Sequence, residues 1–276
     1  MQFNITAMCK VLSVSRAGYY AWCLRPESER SRDDRRIFEL IKTIFADSRN
    51  TYGYRRVHAT LLEQGEQCSL HKVLRLMREN NLRPKTRKKF KVTTDSKHNK
   101  PVHDNLLDRQ FDAVAPNQRW VSDLTYIHTQ EGWLYLAVII DLYSRKVIGW
   151  AMSERMKEKL VIDALQMALF RRKVRSNLLL HSDRGSQYAS DNMQQLLRNN
   201  RIACSMSRKG NCWDNAVAES FFHLLKTECV YHETYLTRED AKRSIFDYIE
   251  VFYNPKRKHS FLGYKSPEEY ELSCGF

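Results

Sequence analysis

Residues 119–153, RWVSDLTYIHTQEGWLYLAVIIDLYSRKVIGWAMS, decide the fold. Three runs rich in aliphatic, aromatic and β-branched residues, 119–129, 133–141 and 146–153, are separated by Gln130-Glu131-Gly132 and by Leu142-Tyr143-Ser144-Arg145. Runs of this length with such short breaks predict an antiparallel meander of three strands. Further on, helical spacing of Leu160, Val161, Ala164, Leu165, Ala168 and Leu169 predicts a helix over 157–172. A strand over 178–182, a helix over 190–199, a strand over 202–206 and a helix over 213–227 follow. The order is βββαβαβα, an α/β domain, and a last helix over 238–252 leads into the segment 253–270.

Three acids stand out against this frame. Asp123 sits inside the apolar run Trp120-Val121-Ser122-Asp123-Leu124-Thr125-Tyr126-Ile127, where an ionised carboxylate is costly unless something pairs with it. Asp183 ends Leu178-Leu179-Leu180-His181-Ser182-Asp183 and is followed at once by Arg184-Gly185, a strand-to-loop break. Glu219 follows with 35 residues between it and Asp183, in the predicted helix. Two carboxylates about 4 Å apart repel by roughly 4 kcal/mol at an effective dielectric of 20, so a buried pair needs a cation or a shared proton. The three either converge on divalent metal ions or stay apart as solvent-facing and salt-bridged acids. Asp141, at the end of the second strand, reads as structural, paired with Ser144 or Arg145.

On the helix, Val217, Phe221, Leu224 and Leu225 form an apolar stripe. Asn215, Glu219, His223 and Lys226 fall within about one quadrant of the opposite side at roughly 100° per residue. That face suits a metal ligand beside a phosphate clamp. It equally suits a solvated face with a Glu219–His223 or Glu219–Lys226 contact worth about 0.2–0.5 kcal/mol.

The formal net charge is +14, and it is uneven. Residues 1–118 carry 23 Lys and Arg against 13 Asp and Glu, while residues 119–276 carry 23 against 19. The excess ahead of the acids fits a DNA-holding region. It is densest from Arg83 to Lys100, where Lys85, Arg87, Lys88 and Lys89 cluster; such a run is either a solvated linker or a phosphate-tracking segment. Residues 4–24 read as two short helices, and 25–36 as a linker or an exposed helix start. Three helices are predicted between Ile37 and Leu82, the third capped by Ser69. Arg55, Arg56, Lys72 and Arg75 leave the last two basic on their polar sides, so the unit either lays a helix in a DNA groove or is a packing bundle. No stretch approaches the ~18 apolar residues of a membrane span. The seven cysteines are scattered without CxxC spacing, as in a reduced, cytoplasmic protein.

The run Arg208-Lys209-Gly210-Asn211-Cys212-Trp213-Asp214-Asn215-Ala216-Val217-Ala218-Glu219-Ser220-Phe221-Phe222 resembles the third acidic motif of bacterial transposases of the insertion-sequence-3 group, within the DDE, retroviral-integrase-like superfamily. Trp120–Tyr126, His181–Tyr188, Leu225-Lys226-Thr227-Glu228 and the closing Tyr253-Asn254, Arg257, His259 and Leu262 extend the likeness over most of residues 30–270. The resemblance implies a ribonuclease-H-like integrase catalytic core, a mixed five-stranded sheet with helices, preceded by an all-α helix-turn-helix region. The corresponding divisions are 1–36, a helical segment; 37–82, the helix-turn-helix module; 83–116, the basic linker; and 117–276, the catalytic core. It implies that Asp123, Asp183 and Glu219 are the catalytic acids, holding two Mg2+ ions for which Mn2+ substitutes. Transposon ends would be cut and the freed 3′-hydroxyl would attack another phosphodiester.

Lys226 would touch transposon-end DNA, and Gln187, Tyr188 and Asn215 are further candidate DNA contacts, with core packing the rival for Tyr188. The expected partners are double-stranded DNA, both terminal repeats and target, a second copy of the chain, and a protein from the upstream reading frame. The expected location is the bacterial cytoplasm, at the nucleoid. Two other functions compete: a nuclease that cuts without joining, and a DNA-binding regulator whose acids are structural.

Overall fold

In this computed structural model, residues 4–85, 103–174, 177–208 and 212–276 are described. The predicted strands form one mixed sheet. β1 (Arg119–Thr129), β2 (Gly132–Asp141) and β3 (Val147–Ser153) make the antiparallel meander, and β4 (Leu179–Ser182) and β5 (Ala203–Met206) join in parallel, in the order β3-β2-β1-β4-β5. Gly132 turns the first hairpin at φ 110°, a conformation open to glycine. β4 pairs with β1 only over Arg119–Val121. The two strands therefore part just before Asp123, and Asp183 follows directly on the end of β4.

The two sheet faces bury different helices. One packs Trp120, Ala137, Ile139 and Ile148 against α6 (Glu158–Arg171) and α7 (Asp191–Asn199), through Leu160, Ala164, Leu165 and Met193. Gly149 is required here, because a Cβ would strike the Ala164 carbonyl of α6. The other face packs Val121, Ile127, Leu134, Leu136 and Val138 with Phe221, Phe222 and Leu225 of α8 (Ala216–Glu228) and with Ile245 of α9 (Arg238–Phe246). A capping box between Thr237 and Asp240 starts α9, which continues as a π-helical turn, Asp247–Tyr253, that buries Tyr248, Ile249, Phe252 and Tyr253. α10 (Pro267–Ser273) closes the chain.

Ahead of the sheet lie α1 (Ile5–Val11), α2 (Arg16–Cys23), α3 (Glu29–Asp47), α4 (Tyr54–Glu63) and α5 (Leu70–Glu79). Of the two readings of 25–36, the helix start is the one found: Ser28 caps α3, which runs for 19 residues. Ser69 caps α5 as expected, accepting from the Lys72 amide. Ile37, Ile41, Val57, Leu61, Val73 and Leu76 from α3–α5 belong to the same hydrophobic cluster as the α8 face of the sheet. Polar contacts fix that junction. The Tyr52 hydroxyl donates to the Lys256 carbonyl (3.0 Å) and accepts from the Lys258 amide (2.8 Å), while the Lys258 ammonium pairs with Glu63 at 2.6 Å.

Candidate active site

Asp123 is half-buried in β1, with Oδ1 accepting from the Leu124 amide at 2.8 Å. Burial pushes its carboxyl well above the usual carboxylate range, the charge of Asp183 adds to the rise and Glu219 adds further, while the Leu124 amide and Lys226 oppose it. Asp183 lies just past β4 and turns Oδ1 onto the Gly185 amide at 2.9 Å. A Cβ on Gly185 would come 3.0 Å from that same oxygen and 2.9 Å from Gln187 Oε1, so a larger residue would press on both side chains. Glu219 is exposed on the first turn of α8, and partial desolvation raises its carboxyl. The fold thus brings the three acids into one electrostatic neighbourhood. Among the described residues, however, no three His, Cys, Asp or Glu side chains are gathered closely enough to hold a metal ion.

What ties the three segments together is Ser122. Its hydroxyl donates to the Val138 carbonyl (2.9 Å) and shares a hydrogen bond with the Tyr188 hydroxyl (2.8 Å). Its carbonyl accepts from Nδ2 of Asn215 at 3.1 Å. Tyr188 belongs to the loop after Asp183, and Asn215 caps the helix that carries Glu219. Both segments are therefore fastened to the residue next to Asp123. Tyr188 is 1% exposed and Asn215 5%, so both serve as internal braces here, which for Tyr188 is the packing role that stood as the rival reading.

The next residue back, Asp214, is fully buried and saturated. Its carboxylate takes the Arg208 amide (2.9 Å), the Arg208 guanidinium (2.9 Å), Nε of Arg109 (2.9 Å) and the Asn105 amide (2.9 Å). The bonds from Arg208, ahead of those from Arg109, hold it well below the ordinary aspartate range. The sequence reading passed over Asp214, although it stands beside Asn215 in the quoted motif; its partners at 105 and 109 are too far away in sequence to be paired with it by spacing.

The remaining candidates divide by environment. Lys226 is half-buried, its ammonium 5.2 Å from the centre of the Tyr126 ring, and its charge is felt at Asp123. Gln187 is half-buried, donating to the Met156 carbonyl at 3.2 Å. Arg55 is exposed, its Nε 3.3 Å from the Tyr54 hydroxyl. Arg56 is half-buried over the Tyr52 ring (5.7 Å), and burial first, then the Arg257 charge, lowers its guanidinium. Lys72 and Arg75 are likewise engaged within the bundle, Lys72 with Asp33 and Asp34, Arg75 with Asp34 (2.6 Å) and Glu79 (3.0 Å). Lys85 is half-buried with its amide on the Asn50 carbonyl at 2.8 Å. Arg87, Lys88 and Lys89 lie outside the described residues.

Asp141 is structural, but not through the side chains expected. It accepts from the amides of Asn117 (2.8 Å) and Tyr143 (3.0 Å), whereas the Ser144 hydroxyl donates to Glu271 (2.7 Å) and the Arg145 guanidinium lies over Phe261 (4.1 Å). His181 is buried between the hydroxyls of Ser205 (2.8 Å) and Ser207 (3.1 Å), and burial pushes its imidazole down to about 4. Arg257, whose part was open in the sequence, forms a buried fork with Glu228 at the end of α8, at 2.6 and 2.7 Å.

Comparison with known proteins completes the picture. Residues 113–212 and 219–273 match families described as Integrase core domain, and residues 31–90 match the HTH-like domain. The chain is 46% identical over 272 residues to the transposase InsF of insertion sequence IS3A from Escherichia coli K12, covering 98% of this chain and 94% of the relative. Among solved structures it is similar to the simian T-cell lymphotropic virus intasome in complex with PP2A regulatory subunit B56 gamma, at 18% identity and a TM-score of 0.49, over 77% of this chain and 69% of that one. It is also similar to the HTLV-2 integrase catalytic core domain in complex with magnesium, at 17% identity and a TM-score of 0.44, over 57% of this chain and 98% of that one. This chain belongs to the insertion-sequence-3 family of transposases, DNA-transposing polynucleotidyl transferases with an integrase core preceded by an HTH-like domain.

Proposed function

We propose that Asp123, Asp183 and Glu219 are the catalytic acids of this transposase and that they hold Mg2+, two ions in the working complex, with Mn2+ able to substitute. What supports this reading is the electrostatic coupling of the acids: burial and then the charge of Asp183, with Glu219 adding further, push the Asp123 carboxyl up. Their all-oxygen donor set suits a hard cation, and a divalent ion would relieve the repulsion between them. Glu219 would join them by turning its exposed side chain inward when DNA is bound. Bound metal of this kind stabilises charge on the attacking and leaving oxygens of an in-line displacement.

The chain's own groups do the rest. Ser122, Tyr188 and Asn215 keep the acid-bearing segments in register, and Gly185 lets a backbone come close to Asp183. Lys226, held near Asp123 over the Tyr126 ring, would neutralise a phosphate of the transposon end, with Gln187, in the loop after Asp183, a further contact. Residues 37–82 would read terminal repeats, with Arg55 the most available phosphate contact, and residues 83–116 would follow the DNA backbone with Lys85, Arg87, Lys88 and Lys89. Joining two ends calls for at least two copies of the chain, and an upstream-frame protein would act beside it at the nucleoid. No described helix is long and apolar enough to cross a membrane. The test is Asp183→Asn and Glu219→Gln, assayed for end cleavage and for strand transfer from a pre-cut 3′ end. Both activities should vanish; either variant working at the wild-type rate refutes the assignment.

A further inference from the structure

Trp213 stands in the short turn that leads into α8. Its side chain is 69% exposed, an unfavourable state for so large an apolar surface. The two residues after it are well anchored. Asp214 is 0% exposed inside its cage of Arg208, Arg109 and Asn105, and Asn215 is 5% exposed with its amide on the Ser122 carbonyl. The short 3-10 turn Cys212–Asn215 then passes directly into α8, whose first turn carries Glu219. A clamped turn therefore presents an indole to solvent, two residues from the brace that holds the backbone beside Asp123. Half-exposed Arg208 shares that clamp through its ion pair with Asp214.

We propose that Trp213 is a DNA-contacting residue, stacking on a nucleobase of the transposon end next to the phosphodiester presented to the acids. The occupant follows from the chemistry at hand. The chain acts on DNA, every base has a π-face, and stacking on an aromatic ring accepts any base identity. A terminal base that leaves its duplex loses its neighbours, and an exposed indole on the turn leading into α8 would replace one of them. Stacking would hold the strand while the acids act on the adjoining phosphate, so the proposal rests on the assignment of those acids.

The test uses the full chain and a duplex carrying the terminal repeat that flanks this gene, with 2-aminopurine replacing the end-proximal bases one at a time. Binding is followed in Ca2+ and cleavage in Mg2+. Wild type should quench the probe at one or two positions. Trp213→Ala and Trp213→Leu, the latter keeping apolar bulk without a π-face, should lose the quench and cut about tenfold more slowly, with unchanged thermal midpoints. Trp213→Phe should restore most of both signals. Asp123→Asn should bind and quench as wild type while failing to cut, which separates this idea from the assignment of the acids. Wild-type quenching and cutting by Trp213→Leu, or a Phe variant as defective as Leu, would overturn the proposal.

Discussion

The side-chain amide of Asn215 donates to the main-chain carbonyl of Ser122 across 93 residues of sequence, at 3.1 Å. The same serine's hydroxyl meets the Tyr188 hydroxyl at 2.8 Å. One residue, adjacent to Asp123, thus sets the spacing between the segments that carry Asp183 and Glu219. Asn215→Ala and Tyr188→Phe should each slow end cleavage by about tenfold or more, while affinity for the end changes little. A misplacement near 1 Å at a reacting centre is enough for losses of that size. Single-turnover cleavage against measured binding checks this; a loss confined to binding would mean that these residues touch DNA after all.

Arg257 and Glu228 anchor the other end of α8. Arg257 is 0% exposed and Glu228 6%, and Tyr248 adds a third bond to the same carboxylate at 2.8 Å. Removing one partner of a buried pair leaves a charge without compensation, so Arg257→Met should cost about 3–5 kcal/mol of stability. The double change Arg257→Met with Glu228→Gln should recover part of that loss. Urea unfolding of the three proteins decides it, and a single variant as stable as wild type would show that α8 is not held there.

Asp141 gives a pH test away from the acids. Burial lifts its carboxyl from the ordinary 3.8 to about 6, outweighing the two amides bonded to it. The folded protein therefore binds this proton more tightly than the unfolded chain. Its contribution is fully present below pH 3.8, falls as pH rises through about 6, and is level beyond. Stability of wild type relative to Asp141→Asn should drop by about 3 kcal/mol across that window. Equal slopes for the two proteins between pH 4 and 7 would contradict it.

In the helical unit the basic residues differ by partner. Lys72 is held by Asp33 and Asp34, whereas Arg55 is exposed. Arg55→Ala should reduce the salt dependence of DNA binding by about one phosphate contact. Lys72→Gln should leave that slope unchanged and lower the thermal midpoint, since Asp33 and Asp34 would then repel each other. The reverse pattern would restore Lys72 as a DNA contact.

The sheet was legible because its signals are local. Alternation over 119–153 gives the strands, Gly132 and the 142–145 break give the turns, and helical spacing finds α6, α7 and α8 to within a few residues. The meeting of Asp123 with Asp183 followed from strand order, which the family resemblance supplied and residue spacing alone did not. What stayed hidden is pairing at long range. Nothing in Asn215 or Tyr188 as residue types says that Ser122 is their partner, and nothing in Arg56, Lys72 or Arg75 says that they face Tyr52 or carboxylates and are not held out to phosphates. Asp214 was missed for the same reason.

The most direct test of the acidic site joins stability to activity in Asp123→Asn. Because burial and two neighbouring acids disfavour the charge of Asp123, the variant should melt higher than wild type in chelator at pH 7, gain nothing from MgCl2, and cut no DNA. Wild type should gain thermal stability as MgCl2 is added and lose that gain when the metal is chelated. A wild type indifferent to Mg2+, or an Asp123→Asn variant that still cleaves transposon ends, would contradict the site.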